Sequence, residues 1–191
     1  MDSKHSDEAA ALPLPVKIVI AGGFGVGKTT FVASISEIEP LTTEARLTAA
    51  GVGVDDVDTV GEKTSTTVAM DFGRITLGEE LILYLFGTPG QERFQFMWDE
   101  LSRGAIGAVI LADTRRLADS FAAIDYFERA GVSFLVAVNS FDGAVTHDAE
   151  SVRSALALHP RVPVIHIDAR ERGSALRALV TLVRHALDLA V

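Results

Sequence analysis

The chain has 191 residues, 48% of them hydrophobic and 23% charged, a length that suits one domain with a full central sheet. Its 17 basic and 26 acidic residues leave a net charge of −9, which argues against a general nucleic-acid or anionic-membrane surface but not against local binding of an anion. Cysteine is absent, so disulfides, thiolate metal sites and lipidated cysteines are excluded, and no apolar run approaches the roughly 18–20 residues of a membrane span.

Residues 1–15 are polar, then Ala/Pro-rich, and end in Pro13-Leu14-Pro15. They read as a flexible leader ahead of a single domain over 16–191. The start shows no cleavable-signal pattern, and Met1-Asp2 excludes N-myristoylation. A cytoplasmic protein is expected, with any membrane contact peripheral.

Val16–Ala21 (VKIVIA) reads as a buried strand. The next stretch, Gly22-Gly23-Phe24-Gly25-Val26-Gly27-Lys28-Thr29, fits the phosphate-binding pattern G-x-x-x-x-G-K-[ST]. Glycines let the backbone wrap with its N–H groups turned toward a polyphosphate, Lys28 can neutralise β- and γ-phosphates, and the Thr29 hydroxyl can ligate Mg²⁺. Gly22, Phe24, Gly25, Val26, Gly27, Lys28, Thr29 and Thr30 are the expected nucleotide contacts here. Thr29–Ile38 reads as a helix with Phe31, Ile35 and Ile38 on one face, which places the phosphates at a helix N-terminus.

Pro40–Thr66 follows without strong periodicity. A long irregular segment inside a compact domain is expected to be either functional or disordered, and its place after the phosphate-loop helix would let it close over a bound nucleotide. Val68–Leu77 and Leu81–Phe86 read as a hairpin. Ala105–Ala112 and Val132–Val138 are nearly continuous apolar runs, as strands buried on both faces require. Val162–Ile167 is a further strand, and helices are expected over Leu117–Arg129, Asp148–Leu158 and Ser174–Ala190. His185 falls on the polar stripe of the last of these and reads as solvated. The alternation predicts an α/β P-loop NTPase domain, with a mostly parallel sheet covered by helices on both faces.

Ligands of such sheets sit beyond the carboxyl ends of the strands. Gly87-Thr88-Pro89-Gly90-Gln91 follows the second hairpin strand. The Gly90 amide can bond a γ-phosphate oxygen, and Gln91 can orient an attacking water. Asn139-Ser140-Phe141-Asp142 follows the next strand end considered. The Asp142 carboxylate can accept two hydrogen bonds from the N1–H and N2 amino group of guanine, a donor pair that adenine lacks. Ile167-Asp168-Ala169-Arg170 follows the last strand, where a backbone N–H is expected to meet guanine O6.

From Val16 to the C-terminus the chain resembles a Ras-like small GTPase. Thr67-Val68-Ala69-Met70-Asp71-Phe72 looks like switch I and Gly90-Gln91-Glu92-Arg93-Phe94 like switch II. Asn139…Asp142 and Ala169-Arg170 look like the two guanine-reading motifs. The variants TPGQERF and AVNSFD, and the DFG after switch I, resemble a bacterial branch of MglA-like and conservon CvnD-type GTPases. The resemblance implies GTP and GDP as bound nucleotides and Mg²⁺ held by Thr29 and Thr67. It also implies Lys28 and Gln91 as catalytic residues, a roadblock-domain regulator and a sensor-kinase-like partner.

Four positions depart from the Ras-like pattern. Gly87 stands where the family carries the Asp that holds Mg²⁺ through water. Asp71, on the neighbouring strand, is either its replacement or a plain strand residue. Phe24 is bulky where a small residue is usual, so slow intrinsic hydrolysis is expected. Ser140 replaces a Lys that covers the base, and Arg170 replaces another. Arg74 and Arg93 are the candidate arginine fingers of this chain. Two other functions stay open: a GTP-binding scaffold with negligible hydrolysis, and a P-loop kinase of small molecules using Arg170-Glu171-Arg172 as a lid.

Overall fold

In a computed structural model, residues 12–47, 66–90, 92–141 and 147–190 are described. Among the described residues, seven strands form one sheet in the order β2-β3-β4-β1-β5-β6-β7. They are β1 (Leu14–Gly22), β2 (Leu41–Leu47), β3 (Thr66–Leu77), β4 (Leu81–Gly87), β5 (Ala105–Ala112), β6 (Phe134–Asn139) and β7 (Val164–Ile167). β1 pairs parallel with β4 and β5, and β5, β6 and β7 continue in parallel. β2 and β3 are antiparallel additions at one edge. The sheet is mostly parallel, as the alternation of patterns predicts.

The apolar runs explain the central strands. Ile18, Val19, Ile20 and Ala21 of β1 are all fully buried, because successive side chains enter opposite faces and both faces are covered. Ile18 and Ile20 join one core with Phe31, Val32 and Ile35 of α1 (Lys28–Ile35) and Ala178, Leu179 and Leu182 of α5 (Arg172–Ala190). Val19 and Ala21 join the other core, with Trp98 of α2 (Trp98–Ser102), Ile124 and Phe127 of α3 (Phe121–Ala130) and Val152 of α4 (Ala149–Ala155). Short 3₁₀ turns over Glu92–Met97 and Thr114–Ser120 lead into α2 and α3.

Several boundaries differ from the sequence reading. β1 begins at Leu14, whose N–H donates to Glu80 O at 2.7 Å, so Leu14 and Pro15 belong to the sheet and not to a leader. The helix after the phosphate loop stops at Ile35, three residues before Ile38. Ser36 is extended (φ −61°, ψ 139°), and its hydroxyl donates to Ile38 O at 2.8 Å and accepts from Arg74 N–H at 3.2 Å. Leu41–Leu47, read as irregular, is an edge strand held by the backbone ladder to β3. Residues 48–65 lie outside the described residues. No helix among the described residues is long and apolar enough to cross a membrane.

Candidate functional site

The carboxyl ends of the parallel strands carry the loops that the sequence singles out. β1 ends in the phosphate loop, where Gly22, Gly25 and Gly27 have φ of 132°, 72° and 105°, conformations that side-chain-bearing residues rarely adopt. Lys28 opens α1 and bends back over the loop. Its Nζ donates to Gly22 O at 2.9 Å and Gly23 O at 2.7 Å. Burial pushes its ammonium down to about 8, and the nearby Asp71 carboxylate opposes that shift. A buried, partly desolvated cation at the N-terminus of a helix is a strong anion trap.

Thr29 donates from Oγ1 to Asp71 Oδ2 at 2.7 Å. Asp71 reaches this point from β3 because its neighbour across the sheet is a glycine. A Cβ on Gly87 would stand 3.0 Å from Asp71 Cβ and 3.2 Å from Oδ2. A carboxylate from β3 thus fills the space that the missing side chain at the end of β4 leaves. Gly90 follows, so close over the loop that a Cβ there would lie 2.7 Å from Lys28 Nζ and 3.1 Å from Gly23 O.

These residues enclose a cavity of about 300 Å³ lined by Phe24, Gly27, Lys28, Thr29, Asp71 and Gly90, among others. The residues fit Mg²⁺. Thr29 and Asp71 offer hard oxygen donors on one wall. Magnesium bound through one or two protein oxygens plus phosphates needs this sparse kind of set.

A second cavity, about 170 Å³, adjoins the first through Gly25, Gly27 and Thr30 and is lined also by Asn139, Ser140, Phe141, Asp168, Ala169 and Arg170. Asn139 is its keystone. Buried at the end of β6, it donates from Nδ2 to Val26 O and accepts at Oδ1 from Ala169 N–H, each at 3.0 Å. One side chain thus ties the phosphate loop to the loop after β7. Ala169 N–H is engaged by Asn139, and Arg170 N–H donates to Asp168 Oδ1 at 2.9 Å. The backbone donor expected for guanine O6 is therefore not presented by this arrangement. Hydrogen bonds from the Arg170 guanidinium hold the Asp168 carboxyl down at about 2.

Other expected residues fall elsewhere. Thr67 lies on β3 opposite Arg46 of β2. Gln91 and Asp142 lie outside the described residues. Arg74 accepts at its carbonyl from Glu37 N–H, just past the far end of α1. A helix of 8 residues separates it from the phosphate loop, about 12 Å at 1.5 Å per residue, so its position does not suit an arginine finger. The lid cluster is also dispersed: Arg170 is paired with Asp168, and Arg172 donates to Ile35 O at 2.8 Å, at the C-terminal end of α1. His185 is half-buried, its imidazole pushed down by burial, and lines a separate cavity of about 240 Å³ that shares no residue with the phosphate loop.

Two arginines at the end of β5 were not among the candidates. Arg115 forms a two-pronged pair with Asp113 (2.9 and 2.8 Å) and lies 4.1 Å over the ring of Phe141 in the second cavity. Arg116 donates to Phe24 O at 2.8 Å, bracing the phosphate loop from outside. Their only sequence signal is position directly after a strand end.

Comparison with known proteins agrees with this geometry. A stretch of 101 residues is 32% identical to the uncharacterized protein MJ1339 of Methanocaldococcus jannaschii, over 53% of this chain and 53% of that protein. The chain thus spans about half the length of that relative. The GTP-binding protein ypt1 of Schizosaccharomyces pombe is 26% identical over 88% of this chain and 78% of its own. The G domain of the T. maritima FeoB iron transporter superposes with a TM-score of 0.61 at 18% identity, over 93% of this chain and 100% of that one. The FeoB G-domain from Methanococcus jannaschii gives 0.59 at 15% identity, over 90% and 97%. The chain covers 65% of the larger T. maritima cytosolic domain in its GDP form. At these identities the structural likeness shows a G-domain fold. Over residues 20–189 the chain matches, and therefore belongs to, the family described as conserved hypothetical ATP binding proteins.

Proposed function

We propose that the protein is a guanine-nucleotide switch of the P-loop kind that hydrolyses GTP slowly. The observation that carries this reading is the pair of hydrogen bonds made by Asn139, which joins a phosphate cavity to a base-sized cavity in one trough. The preference for guanine rests on Asp142, three residues after Asn139, and is supported by the likeness to ypt1, itself a GTP-binding protein. The family description names ATP instead. A carboxylate rejects adenine, which offers no paired donors to it.

Lys28 holds the β,γ end of the nucleotide, and its ammonium regains full charge as the phosphates replace lost solvation. Thr29 and Asp71 are the residues that would hold Mg²⁺, whereas Thr67, four residues along β3 and paired with Arg46, stands away from them. Magnesium, when bound, supplies positive charge against the β- and γ-phosphate oxygens. Gln91 orients the attacking water. Gly90 lies against Lys28, so a γ-phosphate entering the cavity contacts the start of switch II, and its loss releases Gly90. Phe24 lines the cavity and is 68% exposed at its lip, where its ring obstructs an incoming arginine. A roadblock-domain regulator and a sensor-kinase-like protein are the partners that the MglA- and CvnD-like motifs support.

Single-turnover phosphate release from GTP tests this reading. A rate on the order of 10⁻⁴ s⁻¹, abolished by Gln91→Leu, supports a slow GTPase. Tight GTP binding with no release above background favours the scaffold reading, for which Gly87, Phe24 and Ser140 speak.

A further inference from the structure

Thr88 links the end of β4 to Gly90 and lines the phosphate cavity together with Lys28, Thr29 and Asp71. Its backbone is fixed: the N–H donates to Ile20 O at 2.8 Å, and Pro89 restricts the residue before it to extended conformations. The side chain is 3% exposed. Its Oγ1 has no hydrogen-bond partner among the described residues. A buried hydroxyl without a partner costs stability that a valine of similar shape would not. Three of the residues that line the cavity with it, Lys28, Thr29 and Asp71, carry polar groups suited to phosphate and metal.

We propose that the Thr88 hydroxyl is a positioning group for the loaded site, donating to an oxygen of the phosphate–magnesium assembly that enters beside Thr29 and Asp71. That oxygen belongs either to the γ-phosphate or to water of the metal's shell. The inference rests on the nucleotide reading above. It gives Gly87–Gly90 a direct sensor of loading. The hydroxyl gains its partner only with ligand present, and the segment that carries it runs on through Gly90 to Gln91.

The test compares Thr88→Val and Thr88→Ser with the wild-type protein. Without ligand, Thr88→Val raises the melting temperature by about 2–4 °C, because an unpartnered hydroxyl is replaced by a methyl group. With Mg²⁺, fluorescent GDP and a nonhydrolysable GTP analogue are then chased from each protein. Thr88→Val releases the GTP analogue about tenfold faster, and Thr88→Ser behaves as wild type. Loss confined to the GTP analogue assigns the contact to the γ-phosphate. Loss with both nucleotides, erased by chelation, assigns it to the metal's water. A melting temperature that falls in Thr88→Val, or release rates unchanged with both nucleotides, overturns the inference and leaves the nucleotide reading standing. A wild-type protein that retains neither nucleotide overturns both.

Discussion

Replacing Asp71 tests, in both directions, the placing of this carboxylate on β3 beside Gly87 of β4. Asp71→Ala removes the acceptor of Thr29 Oγ1, now at 2.7 Å, and the carboxylate whose charge holds up the Lys28 ammonium. Thr29 is exposed, so water replaces its lost bond and the fold loses little. The effect falls on the metal. Groups that hold or orient a metal shell are typically worth about 10–100-fold in affinity. The Mg²⁺ concentration for half-maximal retention of fluorescent GDP should rise by that factor, or about 1.4–2.7 kcal/mol. Adding Gly87→Asp alone does the opposite damage. Its Cβ would sit 3.0 Å from Asp71 Cβ, crowding two carboxylates and costing about 1–3 kcal/mol from overpacking. Exchanging both residues, Asp71→Gly with Gly87→Asp, clears that clash and returns one carboxylate to the pocket. The exchange should recover magnesium dependence to within a few-fold of wild type, less about 0.5–1 kcal/mol of stability for glycine in a strand. Wild-type magnesium dependence in Asp71→Ala would refute the reasoning.

Four further outcomes follow from the same geometry, two of them at Lys28. Lys28, pushed down to about 8 in the free protein, is partly deprotonated above that pH, so nucleotide binding in mildly alkaline buffer takes up part of a proton, measurable by calorimetry in two buffers of different ionisation enthalpy. Because its folded value lies below the ordinary 10.5, the cost of the buried charge is fully present below pH 8 and is relieved as pH rises toward 10.5, so this group alone makes the ligand-free protein more stable across that window. Phe24→Gly should raise partner-free phosphate release about tenfold, or about 1.4 kcal/mol of barrier; an unchanged rate removes the ring as the obstacle. Arg116→Ala loses the brace on Phe24 O and should weaken nucleotide binding about 3–10-fold while the melting temperature stays within about 2 °C.

The parts of the fold that were legible in the sequence are those where one residue type has one physical use. The phosphate loop reads directly because its glycines and Lys28 have few other reasons to occur in that spacing. β5 and β6 read directly because strands covered on both faces must be apolar throughout. β2 did not: an edge strand is held by backbone pairing, and LTTEARL needs no apolar face for that. Asp71 was recognisable as a candidate, but its meeting with Gly87 depends on the antiparallel register of β3 and β4, which no local pattern encodes. Arg115 and Arg116 escaped for a related reason. Their partners, Phe141 and the Phe24 carbonyl, are distant in sequence, and an arginine pair on a turn is ordinarily solvated. The opposite error occurred at Arg170 and Arg172, whose suggestive spacing dissolves once each is seen bonded to Asp168 or to the end of α1.

The central claim is that this trough selects a guanine nucleotide, although the family is described by ATP. Equilibrium titration of nucleotide-free protein with fluorescent GTP and ATP analogues, in Mg²⁺ and in chelator, tests it most directly. The account predicts at least about a hundredfold preference for GTP, deepened by Mg²⁺ and lost in Asp142→Ala. Equal affinity, or a preference for ATP, would contradict it and return the protein to the kinases and ATPases that share the phosphate loop.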